Sequence, residues 1–347
     1  MNKIFADDET GPFSTFYNSV ESEPKLRNNM KKIAFFTEMG FTGKIPRNHR
    51  NMKTMEAWIC ALEADHIPLL SGFNKQYDLG IITIPKNWFK LGDDLLVDYI
   101  EKVIKKYCKK IAIMQEGPNY YFQDFDVNKQ IWYLQILEMA DFLLCHNEYD
   151  IQYFEGLTGK DVYVLSSLMI TDLFKDDVYT RQDAVMIGGN FCSWYGGFDS
   201  WMVAREMQIP MYAPSMGRKQ KDEEQIINEI KYLPYYDWYR WNIELRKMRY
   251  GIHLMRTYAA GTFALNCAYW GIPCIGYKNL DTQRYLHTNF SVNEGDINEA
   301  RRLARMLKDD KEFYNEYSLK CKQNYNQYYK EDVFIKRFNE ILQEQSI

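Results

Sequence analysis

The sequence predicts an α/β protein built from two doubly wound, Rossmann-like domains in tandem. Short apolar runs alternate with segments of helical spacing from about residue 31 onward. The alternation lapses across a charged stretch at 171–182 and starts again at 184. The 347 residues, 46% hydrophobic and 26% charged, are enough chain for two separate cores. Strand, helix and strand repeated in this way make a parallel sheet covered on both faces. Two such sheets are expected to leave an interdomain cleft at the carboxyl ends of their strands, where ligands bind in folds of this kind.

Residues 1–29, with Gly11-Pro12 and Glu23-Pro24, lack periodicity and read as an irregular lead-in to a first domain over 30–175. Ile33, Ala34, Phe35 and Phe36 form a buried strand that runs into the loop starting at Thr37 and Glu38. Met55, Trp58, Ile59 and Leu62 fall on one helical face within 52–64. Strands are expected at 79–84, 111–114, 142–145 and 162–165, with helices at 94–107 and 128–139. The second domain, 180–320, opens with a strand at 184–187 that enters the turn Gly188, Gly189 and Asn190. Helix 199–207, strand 209–213, helix 222–231 and strand 251–255 follow, then helix 262–270, strands 274–277 and 290–292, and helix 299–307. The polar tail 321–347 reads as a terminal helix that is free to pack back on the first domain.

No apolar run reaches the roughly 20 residues of a membrane span, and the acidic start lacks the apolar core of a signal peptide. The formal charge of −4 argues against a broadly basic surface but leaves room for a local basic groove. Seven scattered cysteines without a CxxC pair read as free thiols in a reducing compartment, and no His or Cys cluster has the spacing of a metal site. A cytoplasmic protein without a bound metal is the expectation.

The most informative segment runs from Ala259 through Ala260, Gly261 and Thr262 along a helix to Gly271-Ile272-Pro273 and a short strand. Small residues at 259–261 let backbone N–H groups approach an anion, and the helix N-terminus adds the positive end of its dipole. A diphosphate suits this bend; packing of a helix on a strand is the other use of such residues. The arrangement resembles the carboxyl-terminal half of GT-B glycosyltransferases, in which a small-residue turn, helix and Gly-x-Pro strand hold a nucleotide-sugar diphosphate. Asp281 and Gln283 are similar in place to the Asp-Gln pair that holds donor-sugar hydroxyls in some members, and Gly188, Gly189 and Asn190 resemble the glycine loop after the first strand. The resemblance covers roughly 184–310. Many retaining members carry two glutamates with seven residues between them around this turn; here the matching positions hold Tyr258 and Asn266, which points toward inversion. Arg218, Lys219 and Lys221 either neutralise the departing diphosphate or form a solvated basic turn; Arg256, beside the bend, is a further donor-site cation.

Glycosyl transfer needs a base for the acceptor hydroxyl and stabilisation of the leaving diphosphate. Glu116, at the carboxyl end of the strand at 111–114 and before Gly117-Pro118, is the first candidate base, then Asp124, with His49 as an alternative. Asp124-Phe125-Asp126 matches the metal motif of a different glycosyltransferase fold, a match the two-domain pattern argues against. Acceptor contacts are expected from Glu38, Thr42, Lys44, Arg47, His49 and Arg50 after the first strand, and from Tyr120 and Tyr121. Tyr235, Tyr236, Trp238, Tyr239 and Trp241, with Lys53, Arg240, Arg246, Lys247 and Arg249, describe either a basic rim on which bases stack or a helix with an aromatic core face.

Taken whole, the chain resembles phage glycosyltransferases, including those that modify hydroxymethylated pyrimidines in viral DNA. That resemblance implies transfer of a hexose (glucose) from a UDP-sugar to DNA, by an inverting, metal-independent enzyme in the host cytoplasm. The UDP-sugar is a co-substrate, and no tightly bound cofactor is implied. Other readings are transfer to a glycan or small molecule, a nucleotide-sugar epimerase or hydrolase, and a non-catalytic nucleotide or nucleic-acid binding protein.

Overall fold

A computed structural model describes residues 31–38, 41–84, 94–115, 117–174, 179–188, 190–192, 194–214 and 227–347, apart from the side chains of Asp94 and Asp124. The chain divides into two compact units. Among the described residues, one holds 55–166 with the segment up to residue 49 and the terminal residues 334–347; the other holds 167–333 with the short segment 50–54.

The first sheet is six-stranded and parallel, in the order β2-β1-β3-β4-β5-β6. Its strands are β1 (Ile33–Thr37), β2 (Asp65–Pro68), β3 (Tyr77–Ile84), β4 (Cys108–Gln115), β5 (Phe142–Cys145) and β6 (Val162–Val164). Both faces are apolar, as a sheet between two helical layers requires. Ala34, Phe36, Ile82, Ile84, Ile111, Ile113 and Leu143 belong to one core cluster, while Phe35, Ile81, Ala112, Phe142 and Leu144, of opposite parity, are equally buried. Against the first cluster pack Leu96 and Tyr99 of α2 (Asp94–Tyr99), Ile100 and Ile104 of the π-turn that follows, and Trp132, Tyr133, Ile136 and Leu137 of α4 (Val127–Glu138). The helix expected at 94–107 thus continues through a π segment, Ile100–Ile104, into α3 (Lys105–Tyr107). Asp126 starts α4 by accepting from Lys129 N (3.1 Å), and Gly159 in the left-handed region closes α5 (Glu148–Thr158).

The second sheet is also six-stranded and parallel, in the order β12-β11-β10-β7-β8-β9. Its strands are β7 (Gln182–Ile187), β8 (Met211–Ala213), β9 (Ile230–Tyr232), β10 (Met248–His253), β11 (Cys274–Tyr277) and β12 (Ser291–Val292). Val185 and Ile187 face a cluster shared with α6 (Gly197–Ala204) and α10 (Ile297–Asp309); Ala184 and Met186 face one shared with α7 (Trp238–Leu245) and α8 (Thr262–Trp270). Met248 and Tyr250 have the same parity yet lie in opposite clusters, because a register shift falls between them. The helix expected at 222–231 is corrected at its end: Ile230–Tyr232 is a strand hydrogen-bonded to β8. Residues 222–226 of that expected helix lie outside the described residues; at its end the open edge of β8 offers the backbone of Ile230–Tyr232 partners that an isolated turn lacks.

The tail forms two helices, α11 (Lys311–Tyr328) and α12 (Glu331–Glu344). Asp310 separates α11 from α10 and caps it through Phe313 N (2.9 Å). Residues 334–347 group with the first sheet, and Gln345 Nε2 donates to Asp161 Oδ2 (2.9 Å) and to the Tyr163 hydroxyl (3.0 Å) at β6. Among the described residues, no helix is long and apolar enough to cross a membrane.

Arg181 closes the far end of α8. Its guanidinium donates to the carbonyls of Trp270 and Gly271 and to the Tyr314 hydroxyl (2.8 Å). A charged donor thereby satisfies the Trp270 carbonyl at a buried boundary, while the Gly271 carbonyl accepts from Ser318 Oγ as well. Arg181→Met is expected to lower unfolding free energy by about 2 kcal/mol, read from urea denaturation. An unchanged midpoint at unchanged slope would mean that water replaces the guanidinium without loss.

Candidate functional site

In each sheet the strand order reverses once, and such reversals are where open α/β sheets bind ligands. In the second sheet the chain leaves β7 toward β8 and β9, then returns to β10 on β7's other side. The loops after β7 and β10 therefore diverge at the carboxyl edge. They are stitched together: Arg256 N and Thr257 N donate to Trp194 O (3.1 and 3.3 Å), and Gly197 N donates to Asn190 O (3.0 Å). Gly196 sits so close to β10 that a Cβ there would meet Leu254 O at 1.9 Å, and its φ of +62° suits glycine. Ser200 Oγ donates to Gly196 O (2.9 Å) and accepts from Leu254 N (2.9 Å), and so fixes α6 and the loop before it against the end of β10.

A cavity of about 360 Å³ opens at this reversal, lined by Phe191, Cys192, Gly196, Phe198, Asp199 and Arg256. Arg256 Nη2 donates to Asp199 Oδ2 (2.8 Å), which also accepts from the Tyr277 hydroxyl (2.9 Å). The bond to Asp199 raises the Arg256 pKa above its ordinary value, and burial together with Asp199 pushes the Tyr277 phenol up to about 12. The side chain of Arg256 remains 43% exposed, so a fixed cation faces the opening.

Beyond Arg256 the chain reaches the bend that precedes α8. Gly261 caps the helix in the left-handed region (φ +64°) with no side-chain hydrogen bond. The first-turn N–H groups of Thr262, Phe263 and Ala264 accordingly have no intrahelical acceptor. Ser167 Oγ donates to Ala260 O and holds the bend from outside the sheet. Asn279 Nδ2 donates to Arg256 O (3.0 Å) and ties the same stretch to the loop after β11. A helix N-terminus without a cap, a glycine bend and a fixed guanidinium on one loop make a set suited to a polyphosphate.

The other residues expected to bind the donor are distributed through the second unit. Gly188 N donates to Ile252 O (2.7 Å), and its Cα lies against the His253 ring; Gly189, Arg218, Lys219 and Lys221 lie outside the described residues. Asp281, first residue of α9 (Asp281–Leu286), is buried and accepts from Arg284 Nη2 (2.8 Å). Gln283 points inward: its Nε2 donates to Cys274 O (2.8 Å) and Phe290 O (3.3 Å), so it is a strut between α9 and the sheet. Asn266, at a position where the resemblance would place a glutamate, is buried; with its amide oriented to satisfy both neighbours, it accepts from Trp241 Nε1 (3.1 Å) and donates to Thr262 O (3.2 Å).

In the first sheet the reversal falls between β1 and β3, and the loop after β1 carries Glu38, Thr42, Lys44, Arg47 and His49. That loop is anchored by His66, which is fully buried on β2. The His66 Nδ1 proton faces Phe41 O, so Nε2 accepts from Thr37 Oγ1 (2.7 Å), and Gly43 pairs antiparallel with His66. Thr42 and Arg47 are exposed, His49 is half-buried, and Lys44 Nζ donates to Glu63 O (2.8 Å). Tyr120 is exposed, whereas Tyr121 is a correction: its ring lies in the core, edge-on to Phe122 at 5.4 Å, where it fills space between helix and sheet. Glu116 lies outside the described residues, as does the side chain of Asp124, whose backbone ends the 3-10 turn Tyr121–Asp124.

Arg50 and Lys53 meet the aromatic segment before and within α7. Arg50 Nε pairs with Asp237 Oδ2 (2.8 Å), its guanidinium lies 4.7 Å from the Tyr239 ring centroid, and Lys53 Nζ lies 5.9 Å from that of Tyr235. Arg240 similarly covers Tyr236 at 5.6 Å. Asp199, Tyr277, Ser167, His66 and the aromatic lining Phe191 and Phe198 were not legible as site residues. Asp199, Tyr277, Ser167 and His66 each act through a partner distant in sequence, as Asp199 does with Arg256, while Phe191 and Phe198 line the opening beside Trp201.

No protein-family model matches the chain, and no curated protein matches it in sequence. Solved structures do match. One is HepE (Alr3699) of Anabaena in complex with UDP and glucose: TM-score 0.63, 10% identity, covering 90% of this chain and 100% of that one. A second is an alpha-glucosyltransferase in complex with UDP and a 13-mer DNA containing an HMU base: TM-score 0.62, 10% identity, 90% and 99% covered. A third is a variant of S. aureus TarM in complex with fondaparinux, alpha-GlcNAc-glycerol and UDP: TM-score 0.59, 8% identity, covering 75% of this chain and 55% of that one. The chain thus spans little more than half the length of TarM. With two parallel six-stranded sheets in these strand orders, the chain has the two-domain, Rossmann-like GT-B fold.

Proposed function

We propose that this protein is a glycosyltransferase that moves a hexose, glucose, from a UDP-sugar to a hydroxyl acceptor, and that the acceptor is a hydroxymethylated pyrimidine in DNA. The observation that carries the donor half is the uncapped α8 N-terminus at Gly261, on the same loop as the fixed Arg256 at the strand reversal. Backbone amides and guanidinium supply the positive field in which UDP leaves as the bond between the sugar C1 and the phosphate oxygen breaks. The acceptor oxygen forms the new bond to C1 and its proton passes to a carboxylate. Glu116 is our choice for that base, with Asp124 second.

Two observations support a nucleic-acid acceptor. Arg50 and Lys53 lie on the tyrosines of the segment 235–239, so cations and stacking rings share one surface; and a neighbour in fold binds DNA with UDP. Tyr258 and Asn266 in place of glutamates, with Asn266 engaged by Trp241, favour inversion without a metal. The alpha-glucosyltransferase among the neighbours favours retention as the second reading, and the anomeric H1 coupling of the product decides between them.

At a UDP-glucose concentration one hundred times its Kd, binding should add about 2.7 kcal/mol to stability and raise the melting temperature accordingly. Hydroxymethylpyrimidine DNA incubated with protein and UDP-glucose should gain the mass of one hexose. No thermal shift with any nucleotide sugar would overturn the donor reading. A shift without mass gain on DNA, but with transfer to a small acceptor or release of free sugar, would overturn the DNA assignment alone.

A further inference from the structure

Three buried side-chain atoms beside the α8 bend lack a hydrogen-bond partner: His253 Nε2, Asn279 Oδ1 and Thr282 Oγ1. Each residue is at least nine-tenths buried, with Thr282 only 3% exposed. Native chains rarely leave such groups unmatched, because each costs its full desolvation without return. Thr282 is the most pointed case. Its Oγ1 occupies the place where a side chain on residue 261 would begin, 2.0 Å from an ideal Cβ there, so it lies directly against the cap of α8. The backbone does not need this hydroxyl, and valine would fill the same volume without the cost.

We propose that Thr282 is a donor-site residue, its hydroxyl donating to the diphosphate seated on the Gly261 bend and so positioning the leaving group. This rests on the donor reading above and adds a contact from the first turn of α9 to those from the loop after β10. The bend shields Oγ1 from bulk water. An anion drawing the amides of the first turn toward itself shifts Gly261, and a turn about χ1 of Thr282 brings the hydroxyl to the phosphate oxygen.

Thr282→Val removes the hydroxyl at nearly constant shape, and Thr282→Ser keeps it. Calorimetric titration with UDP and with uridine, and thermal melting without ligand, separate the roles. The expected result is that T282V melts at or above the wild-type temperature, binds UDP about tenfold more weakly and binds uridine unchanged, while T282S keeps its UDP affinity. Equal UDP affinity in wild type and T282V would overturn the proposal. So would a T282V protein that melts several degrees lower or does not fold, since the hydroxyl would then serve the fold. Failure of the wild type itself to bind UDP would remove the donor reading instead, and this inference with it.

Discussion

Gly261→Ala is expected to destabilise the protein by about 3 kcal/mol and to abolish the thermal shift produced by UDP-glucose. The backbone at 261 has φ of +64°, a conformation that costs an alanine roughly 1–2 kcal/mol. The added methyl would begin 2.0 Å from Thr282 Oγ1 and 3.2 Å from its Cβ, so the bend or the first turn of α9 must move. Overpacking of that kind adds about 1–3 kcal/mol. Movement of the bend also re-aims the N–H groups of Thr262 and Phe263, which a bound diphosphate would need in place. Combining Gly261→Ala with Thr282→Ala should recover the collision part of the stability loss, about half, but not the strain of the left-handed backbone. A Gly261→Ala protein with wild-type melting temperature and wild-type response to UDP-glucose would show that this bend is neither strained nor part of a donor site.

The second large effect is acid lability above pH 4. Burial lowers the pKa of His66, His253 and His287 from the ordinary 6.5 to about 4. The hydrogen bonds agree with neutral rings. His287 Nε2 faces Ala264 O (2.9 Å) while its Nδ1 accepts from Cys274 N (3.3 Å), so a second ring proton would be directed at a backbone N–H. Between pH 6.5 and 4 the unfolded chain binds protons that the folded chain refuses. Unfolding therefore takes up protons, and stability is full above the unfolded value and falls as pH drops toward 4. At pH 5 each ring contributes a loss of about 2 kcal/mol, and the three together about 6, comparable with the whole stability of many domains. Urea unfolding at pH 7 and pH 5 should show this drop. His287→Gln, which keeps one donor and one acceptor, should flatten the slope by about a third. A urea midpoint unchanged between the two pH values would refute the assignment of neutral buried rings.

Much of the fold was legible because strand interiors announce themselves. Phe142, Leu143, Leu144 and Cys145 are apolar without interruption, and a run of that length between turn residues has few other uses in an α/β chain. The glycine bend and helix at 259–270 were legible for the same local reason: small residues, then helical spacing, then Gly-Ile-Pro. β2 was not, since Asp65, His66, Ile67 and Pro68 carry no strand pattern and become a strand only by pairing with β1. Tyr121 beside Tyr120 offered no cue that one ring would be exposed and the other buried.

By itself the sequence determined the class of fold, the order of most strands and helices, and the place of the glycine bend before α8. These follow from hydrophobic period and glycine placement, which act within a few residues of the chain. Only the tertiary structure decided which side chains belong to that bend. Asp199 fixes Arg256 across 57 positions, Thr282 abuts Gly261 from the first turn of α9, and Gln283 turns inward while Asp281 pairs with Arg284. Such pairings are settled by the strand order of the second sheet, which brings the ends of β7, β10 and β11 to one edge, and strand order is a property of long-range packing that no local pattern encodes.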